Sequence, residues 1–401
     1  MRDEKKEIDN IDYLSCLPPE LQQSELLPYC DVPTLLHLAI CSKALHRAVT
    51  QSVLSWKTKL YALDYDKNEL DKLPPMSITA YQRLCFHGSR YRLPCSYGSE
   101  KAWELCCLTG DTQLVRWAYQ QGWLGPQTTS HSHRYGYAYK NVLHCVALGG
   151  SVETMQFAID TLHISPRSTD SLGMNALHYA ACGGSVEAMR FAVKLGIPAD
   201  SVDTWRRNAL HWAAMGGSIK TMEYAVHTLH IPATSVTAGR LMPGKNALHC
   251  AARSGSVKAV RYAMEELGIS WQSKSDIGNN VLHYAIGSGS EPLIRYLIEE
   301  LSIPVTNVNN SGETVLHYAE NNRHSVALVR LLCQLNETHQ LQLDPYRMDK
   351  WEHNAFWYAN FEQNLEKKRI VLETLQSIAD QTRQQKMYQE MHQETESLVL
   401  R

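Results

Sequence analysis

The chain has 401 residues, enough for a substantial core, and its 39 Lys and Arg nearly balance 41 Asp and Glu. The resulting net charge of -2 lacks the cationic excess of a dedicated nucleic-acid or anionic-membrane binder. Hydrophobic residues make up 44% of it, yet no stretch approaches the roughly 18 uninterrupted apolar residues that span a bilayer. Residues 1–11 are charged and polar with no apolar run behind them, so a disordered start without a secretory leader is expected. Eleven cysteines without a C-x-x-C pair suit reduced thiols in a cytoplasm better than a disulfide framework or a zinc ribbon.

Residues 12–50 carry Leu17-Pro18-Pro19-Glu20-Leu21, the pair Leu26-Leu27, and Leu35-Leu36 leading into Ile40-Cys41-Ser42-Lys43. Leu35, Leu38, Ala39, Ser42 and Leu45 keep a helical rhythm, and prolines 18, 19, 28 and 33 punctuate short helices, which predicts a small helical bundle. With Ser55 to Tyr61 following in a W-K-x-x-L-Y pattern, the segment resembles an F-box, with one residue inserted between the Leu26 pair and Leu35. That resemblance implies that Leu17, Pro18, Leu21, Leu26, Leu27, Leu35 and Leu36 contact the SKP-type adaptor of a cullin ubiquitin ligase. The other reading of the same leucines is an amphipathic hairpin that caps whatever follows. Residues 51–99 are expected to be a helical connector.

A single sentence is then written six times: NVLHCVALGGS at 141–151, NALHYAACGGS at 175–185, NALHWAAMGGS at 208–218, NALHCAARSGS at 246–256, NVLHYAIGSGS at 280–290 and TVLHYAENNRH at 314–324. The histidines, 144, 178, 211, 249, 283 and 317, are spaced 34, 33, 38, 34 and 34 residues apart. This period and wording resemble the ankyrin repeat, a β-turn followed by two antiparallel helices. Weaker copies at Trp103 to Gly110 and Asn354 to Ala359 extend the pattern to residues 100–370, about seven or eight units, degenerate where terminal repeats cap a stack. The fold class expected is therefore all-α, an F-box-like bundle followed by an ankyrin solenoid.

Within each unit, Asn175, Asn208, Asn246, Asn280 and Thr314 stand at the helix N-cap, and Ala or Val replaces the usual proline after them. Glycines 150, 184, 217, 255 and 289 end the first helix, and the serines that follow them are placed to cap the second. A histidine recurring in phase is a bonding device between neighbouring units rather than a metal ligand or a catalytic base.

The register assigns β-turn fingers to 170–174, 203–207, 275–279, 309–313 and 349–353, with an enlarged finger at 237–245. Leu172, Trp205, Leu241, Met242, Ile277 and Trp351 fall at the tips beside Arg207, and such residues serve as anchors at protein interfaces. Cover by neighbouring fingers is the alternative for these side chains. Leu148, Met215 and Arg253 on the inner helices extend the same expected binding face, with Cys182, whereas Tyr179, Trp212, Tyr284 and Tyr318 after the histidines read as framework.

No G-x-S-x-G, H-E-x-x-H or P-loop is present, so no enzyme, cofactor or metal is expected. Residues 371–401 read as a capping helix and a polar tail, with Leu365, Leu372, Leu375 and Ile378 as one apolar stripe and a frayed end from Gln389. F-box, repeats and a Glu-rich tail, in that order, resemble the type IV effectors that intracellular bacteria inject into a host cytosol. The expectation is a cytoplasmic, non-catalytic receptor of an SCF-type ubiquitin ligase, monomeric outside that complex, holding an unknown protein on its repeats. An ankyrin scaffold or inhibitor without ligase association is the alternative.

Overall fold

The computed structural model describes residues 102–132, 138–239, 244–320 and 325–399. The F-box-like residues, Leu17, Pro18, Leu21, Leu26, Leu27, Leu35 and Leu36 among them, lie outside the described residues, as do the fingertip residues Leu241 and Met242. The described chain is almost wholly helical and falls into two compact bodies, residues 102–183 with 190–196, and 184–189 with 197 onward.

In the first body, α1 (Ala102–Leu108) and α2 (Thr112–Gln120) form a helical pair, and a short antiparallel hairpin of β1 (Thr129–Ser132) and β2 (Ala138–Asn141) leads into α3 (Val142–Gly149). The paired helices α3 and α4 (Val152–Asp160) then precede α5 (Ala176–Gly183), which α6 (Val186–Lys194) follows in the chain. Burial pulls the Lys140 ammonium down, but the Glu104 carboxylate 3.2 Å away outweighs it and holds the group at about 12. First helices pack directly on first helices, α1 on α3 and α3 on α5. Their approach is close enough that a β-carbon on Gly183 would collide with the Leu148 backbone, and one on Gly149 with the Cys107 carbonyl.

In the second body the first helices are α7 (Ala209–Gly216), α9 (Ala247–Ser254), α11 (Val281–Ser288), α13 (Val315–Glu320) and α15 (Ala355–Ala359), each packed on the next. Their Leu and Ala positions are sealed: Leu210, Ala213, Ala214, Leu248, Ala251, Ala252, Leu282 and Ala285 are all fully buried. The second helices are α8 (Ile219–Glu223) and α12 (Glu291–Arg295), each running on into a π-wound turn, α10 (Val257–Glu265), and the longer α14 (Ser325–His339). Ser151, Ser218 and Ser256 cap the second helices as the sequence predicts, and the glycines before them take left-handed φ of 78°, 64° and 76°. Ser290 departs from the pattern and makes no side-chain cap to α12, whose first turn carries Pro292. Its hydroxyl donates instead to the Gly255 carbonyl at 3.0 Å, tying two repeats together.

The last helix, α16 (Leu365–Val399), begins before the expected residue 371 and remains helical through the segment expected to fray. The apolar stripe also differs. Val371, Leu375, Ile378 and Ala379 are buried, Leu372 is half-buried and Leu365 is exposed, because the face turned to α14 is chosen by the i, i+4, i+7, i+8 run from Val371. Between α14 and α16 lies a polar knot around the wholly buried Asn336. Its amide donates to Gln381 Oε1 (3.0 Å), its side-chain oxygen accepts from the Leu343 N–H (3.2 Å), and Gln385 donates to its carbonyl (3.2 Å).

Candidate protein-binding site

Four of the fingers are each built by one side-chain acceptor. Oδ1 of Asp170 accepts the N–H groups of Leu172 and Met174, both at 2.8 Å, and Asp203, Asn309 and Asp349 repeat the arrangement two and four residues on. Each such acceptor fixes a tight turn without needing glycine at every tip. The second oxygen is held by the aromatic residue one past the histidine position, which Trp357 fills in the last unit: Tyr179 donates to Asp170 at 2.7 Å, and Tyr358 to Asp349 at 2.8 Å. In the second body the fingers are also bonded to one another, Ala238 N–H to the Trp205 carbonyl, Asn310 N–H to Ile277 and Lys350 N–H to Ser311, at 2.8 to 3.0 Å.

The histidines hold the helices behind those fingers. Nδ1 of His211, His249 and His283 accepts the backbone N–H of the N-cap asparagine three residues earlier, while Nε2 faces the carbonyls of Lys245, Ser273 and Glu313 in the next repeat at 3.1 to 3.3 Å. His317 does the same between Thr314 and His353, and in the first body His144 bridges Asn141 to Ser168. An N–H on one side and a C=O on the other fix the neutral tautomer with its proton on Nε2. Burial accordingly pushes His144, His211, His249 and His283 down to about 4, and His317 in the same direction. Buried thiols move the other way: Cys106 is pushed up to about 12, Cys250 to about 11, and Cys107 well above its ordinary value. These thiols therefore stay protonated and make poor nucleophiles. Among the described residues no three His, Cys, Asp or Glu side chains converge as a metal site, and no helix is long and apolar enough to cross a membrane.

The expected contact residues divide by exposure. Ile277 (41% exposed) and Trp351 (57%) stand out from their fingers, and Arg253 is exposed while donating from Nη1 to the Gly287 carbonyl of the next repeat at 3.1 Å. Leu172, Trp205 and Met215 are half-buried. Leu148 and Arg207 correct the expectation of an exposed contact, since Leu148 is packed into the first body and Arg207 is 1% exposed. Arg207 is structural because of its neighbour. The residue after His211 is Trp212, which has no hydroxyl to reach Asp203, so the guanidinium takes that task at 2.5 Å and lies against the rings of Trp212 and Trp205 (3.9 and 4.4 Å). Trp in the tyrosine position of this repeat is the signal by which the sequence could have shown it.

A further patch was absent from the sequence reading. Trp357 and Phe361, on and just after α15, are exposed beside the half-buried Glu320 at the end of α13, and His353 stacks on Trp357 with a centroid distance of 3.3 Å. Trp357 stands at the repeat position of the buried His317, so its exposure runs against the pattern, whereas Phe361 stands at the position of the exposed Arg253 and the half-buried Met215.

Compared with known families, residues 143–235, 191–275, 226–307 and 264–344 match the model described as ankyrin repeats (3 copies), together just over half of the chain. The chain belongs to the ankyrin-repeat family. Its repeats form a protein–protein interaction domain, and the partner expected on them is a protein. No F-box family model matches, and no curated protein matches the chain. Similar solved structures include the human ASB11 ankyrin repeat domain (16% identity, 59% of this chain and 98% of that one, TM-score 0.40). Others are the ankyrin repeat domain of Bcl-3 (18%, 57% and 97%, 0.35) and a chain of the Bdellovibrio bacteriovorus Bd0816 predatory endopeptidase complex with immunity protein Bd3460 (19%, 47% and 96%, 0.34).

Proposed function

We propose that this ankyrin-repeat protein is a non-catalytic substrate receptor of an SCF-type ubiquitin ligase. Residues 12–50 dock on the SKP-type adaptor, and the fingers of the second body capture the protein to be modified. The observation that carries target capture is the pair of apolar tips, Ile277 and Trp351, the first on a finger closed by backbone bonds, the second on one closed by the Asp349 acceptor, and both bonded backbone to backbone with a neighbouring finger. Rigid, preorganised aromatic and aliphatic anchors lose little conformational entropy on binding. The adaptor half rests on the leucine and proline pattern of residues 17 to 36. Holding a target beside a charged conjugating enzyme raises its effective concentration, so the receptor needs no catalytic group of its own.

The test is co-purification with the SKP adaptor on a sizing column, using the full chain and a Leu17→Ala/Pro18→Ala variant. A stoichiometric complex lost in the variant, with the target retained, supports the two-ended receptor. No complex from a folded full chain refutes the ligase half and leaves an ankyrin scaffold.

A further inference from the structure

At the C-terminal end of the second body, the last two repeats form an open cavity of about 460 Å³ lined by Glu320, Ser325, Trp357, Tyr358, Phe361 and Glu362. Its chemistry is one-sided. Two carboxyl groups and three aromatic rings meet there, and no Lys, Arg or His lines it among the described residues. Trp357 is held from behind by the stacked His353 and meets Phe361 at 4.3 Å with the rings 57° apart, while Tyr358 stands edge-on to Trp357 at 5.1 Å. Phe361 is 66% exposed, so the rim offers an aromatic surface that the fold itself does not use.

Glu320 is the other half of the argument. Its Oε1 is buried and has no hydrogen-bond partner among the described residues. Burial, reinforced by the nearby Glu362, pushes its carboxyl up to about 8. A buried oxygen without a partner costs about 1–3 kcal/mol, a cost that a donor entering the cavity would remove. The aromatic faces attract an organic cation through the ring quadrupole and the Glu362 carboxylate attracts it through charge, while the vacant Glu320 oxygen accepts one of its donors.

We propose that this cavity seats the cationic side chain, arginine or lysine, of a polypeptide held by the protein, with Phe361 and Trp357 packing on the aliphatic stem. A basic residue has the required charge, donors and apolar stem, and about 460 Å³ accommodates one such side chain rather than a folded surface. This inference deepens the target-capture reading by giving the target a basic anchor; it is independent of adaptor docking by residues 12–50.

The test uses the full chain and two short peptides, acetyl-Leu-Arg-Leu-amide and its citrulline counterpart, in which the guanidinium becomes a neutral urea of nearly the same shape. Binding is followed by indole N–H chemical shifts up to 10 mM peptide. The expected result is saturable binding of the arginine peptide, at least tenfold weaker binding of the citrulline peptide, and at least fivefold weakening in Glu362→Gln and Phe361→Ala. Both substitutions fall at positions outside the buried core, and circular dichroism checks that each variant folds. Equal binding of the two peptides, no saturable binding of either, or selective binding untouched by both substitutions would overturn the proposal. Failure of target capture is read separately, in Ile277→Ala and Trp351→Ala variants tested for retention of a crosslinked protein, so the two failures are distinguishable.

Discussion

Acidification between pH 6.5 and 4 should unfold the second body through its histidines. The folded values of His211, His249 and His283 lie at about 4, below the ordinary 6.5, so their contribution is fully present above pH 6.5 and is lost as pH falls toward 4. Protonation would put a second proton on Nδ1, facing the N-cap N–H, and would bury a charge. A shift of this size is about 3 kcal/mol per histidine when fully developed, and three such groups together are comparable to the ~5–15 kcal/mol that stabilises a typical domain. Glu320 acts with the opposite sign. Its folded value of about 8 lies above the ordinary 4.5, so it stabilises at low pH and that contribution fades as pH rises through 8. At pH 5.5 the three histidines release about 0.9 proton each on folding and Glu320 takes up about 0.9, a net of just under two protons or about 2–3 kcal/mol per pH unit. His317, shifted in the same direction as the other histidines, adds to this. Urea unfolding followed by far-ultraviolet circular dichroism at pH 7, 6, 5.5 and 5 gives the slope directly. Glu320→Gln should steepen it by about one proton and His283→Asn should lower it by about one. A slope below one proton between pH 6 and 5, or one unchanged in His283→Asn, would refute the reasoning.

Three further outcomes follow from particular contacts. Arg207→Met should cost about 3–5 kcal/mol by stranding the buried Asp203 carboxylate, and adding Trp212→Tyr should restore much of it by supplying the hydroxyl that Tyr179 gives Asp170; a thermal melt of the double variant no better than the single would count against this. Gly183→Ala should lower stability by at least about 1–3 kcal/mol because the added carbon meets the Leu148 backbone, whereas Gly125→Ala, which meets only Thr128 Oγ1 at 3.8 Å, should stay within about 1 kcal/mol in the same denaturant titration. Asn336→Leu should cost about 2–4 kcal/mol by leaving the Leu343 N–H without its acceptor, and hydrogen exchange should speed up in α14 and α16 well before α7 or α9; uniform acceleration would show that the knot does not hold the last helix.

The repeat was legible because each of its devices is local. An asparagine cap, a histidine three residues on, two alanines and a terminal glycine act within one turn or between adjacent copies, so the written period carries the fold with it. The framework role of Tyr179 and Tyr284 was legible for the same reason. Exposure was not, since it depends on which side chain covers which. Arg207, expected at a tip, is buried because Trp212 lacks a hydroxyl, and Trp205 is half-covered by that same guanidinium. The stripe of α16 begins at Val371 rather than Leu365 because α14 and the Asn336 knot choose its face. The cavity beside Glu320 belongs to this class too. Trp357 takes the repeat position of the buried His317 and Phe361 that of the exposed Arg253, so repeat position alone did not foretell an aromatic opening beside a half-buried carboxyl. A periodic sequence determines what every copy does alike, and the tertiary structure decides what happens where a copy differs or has no successor.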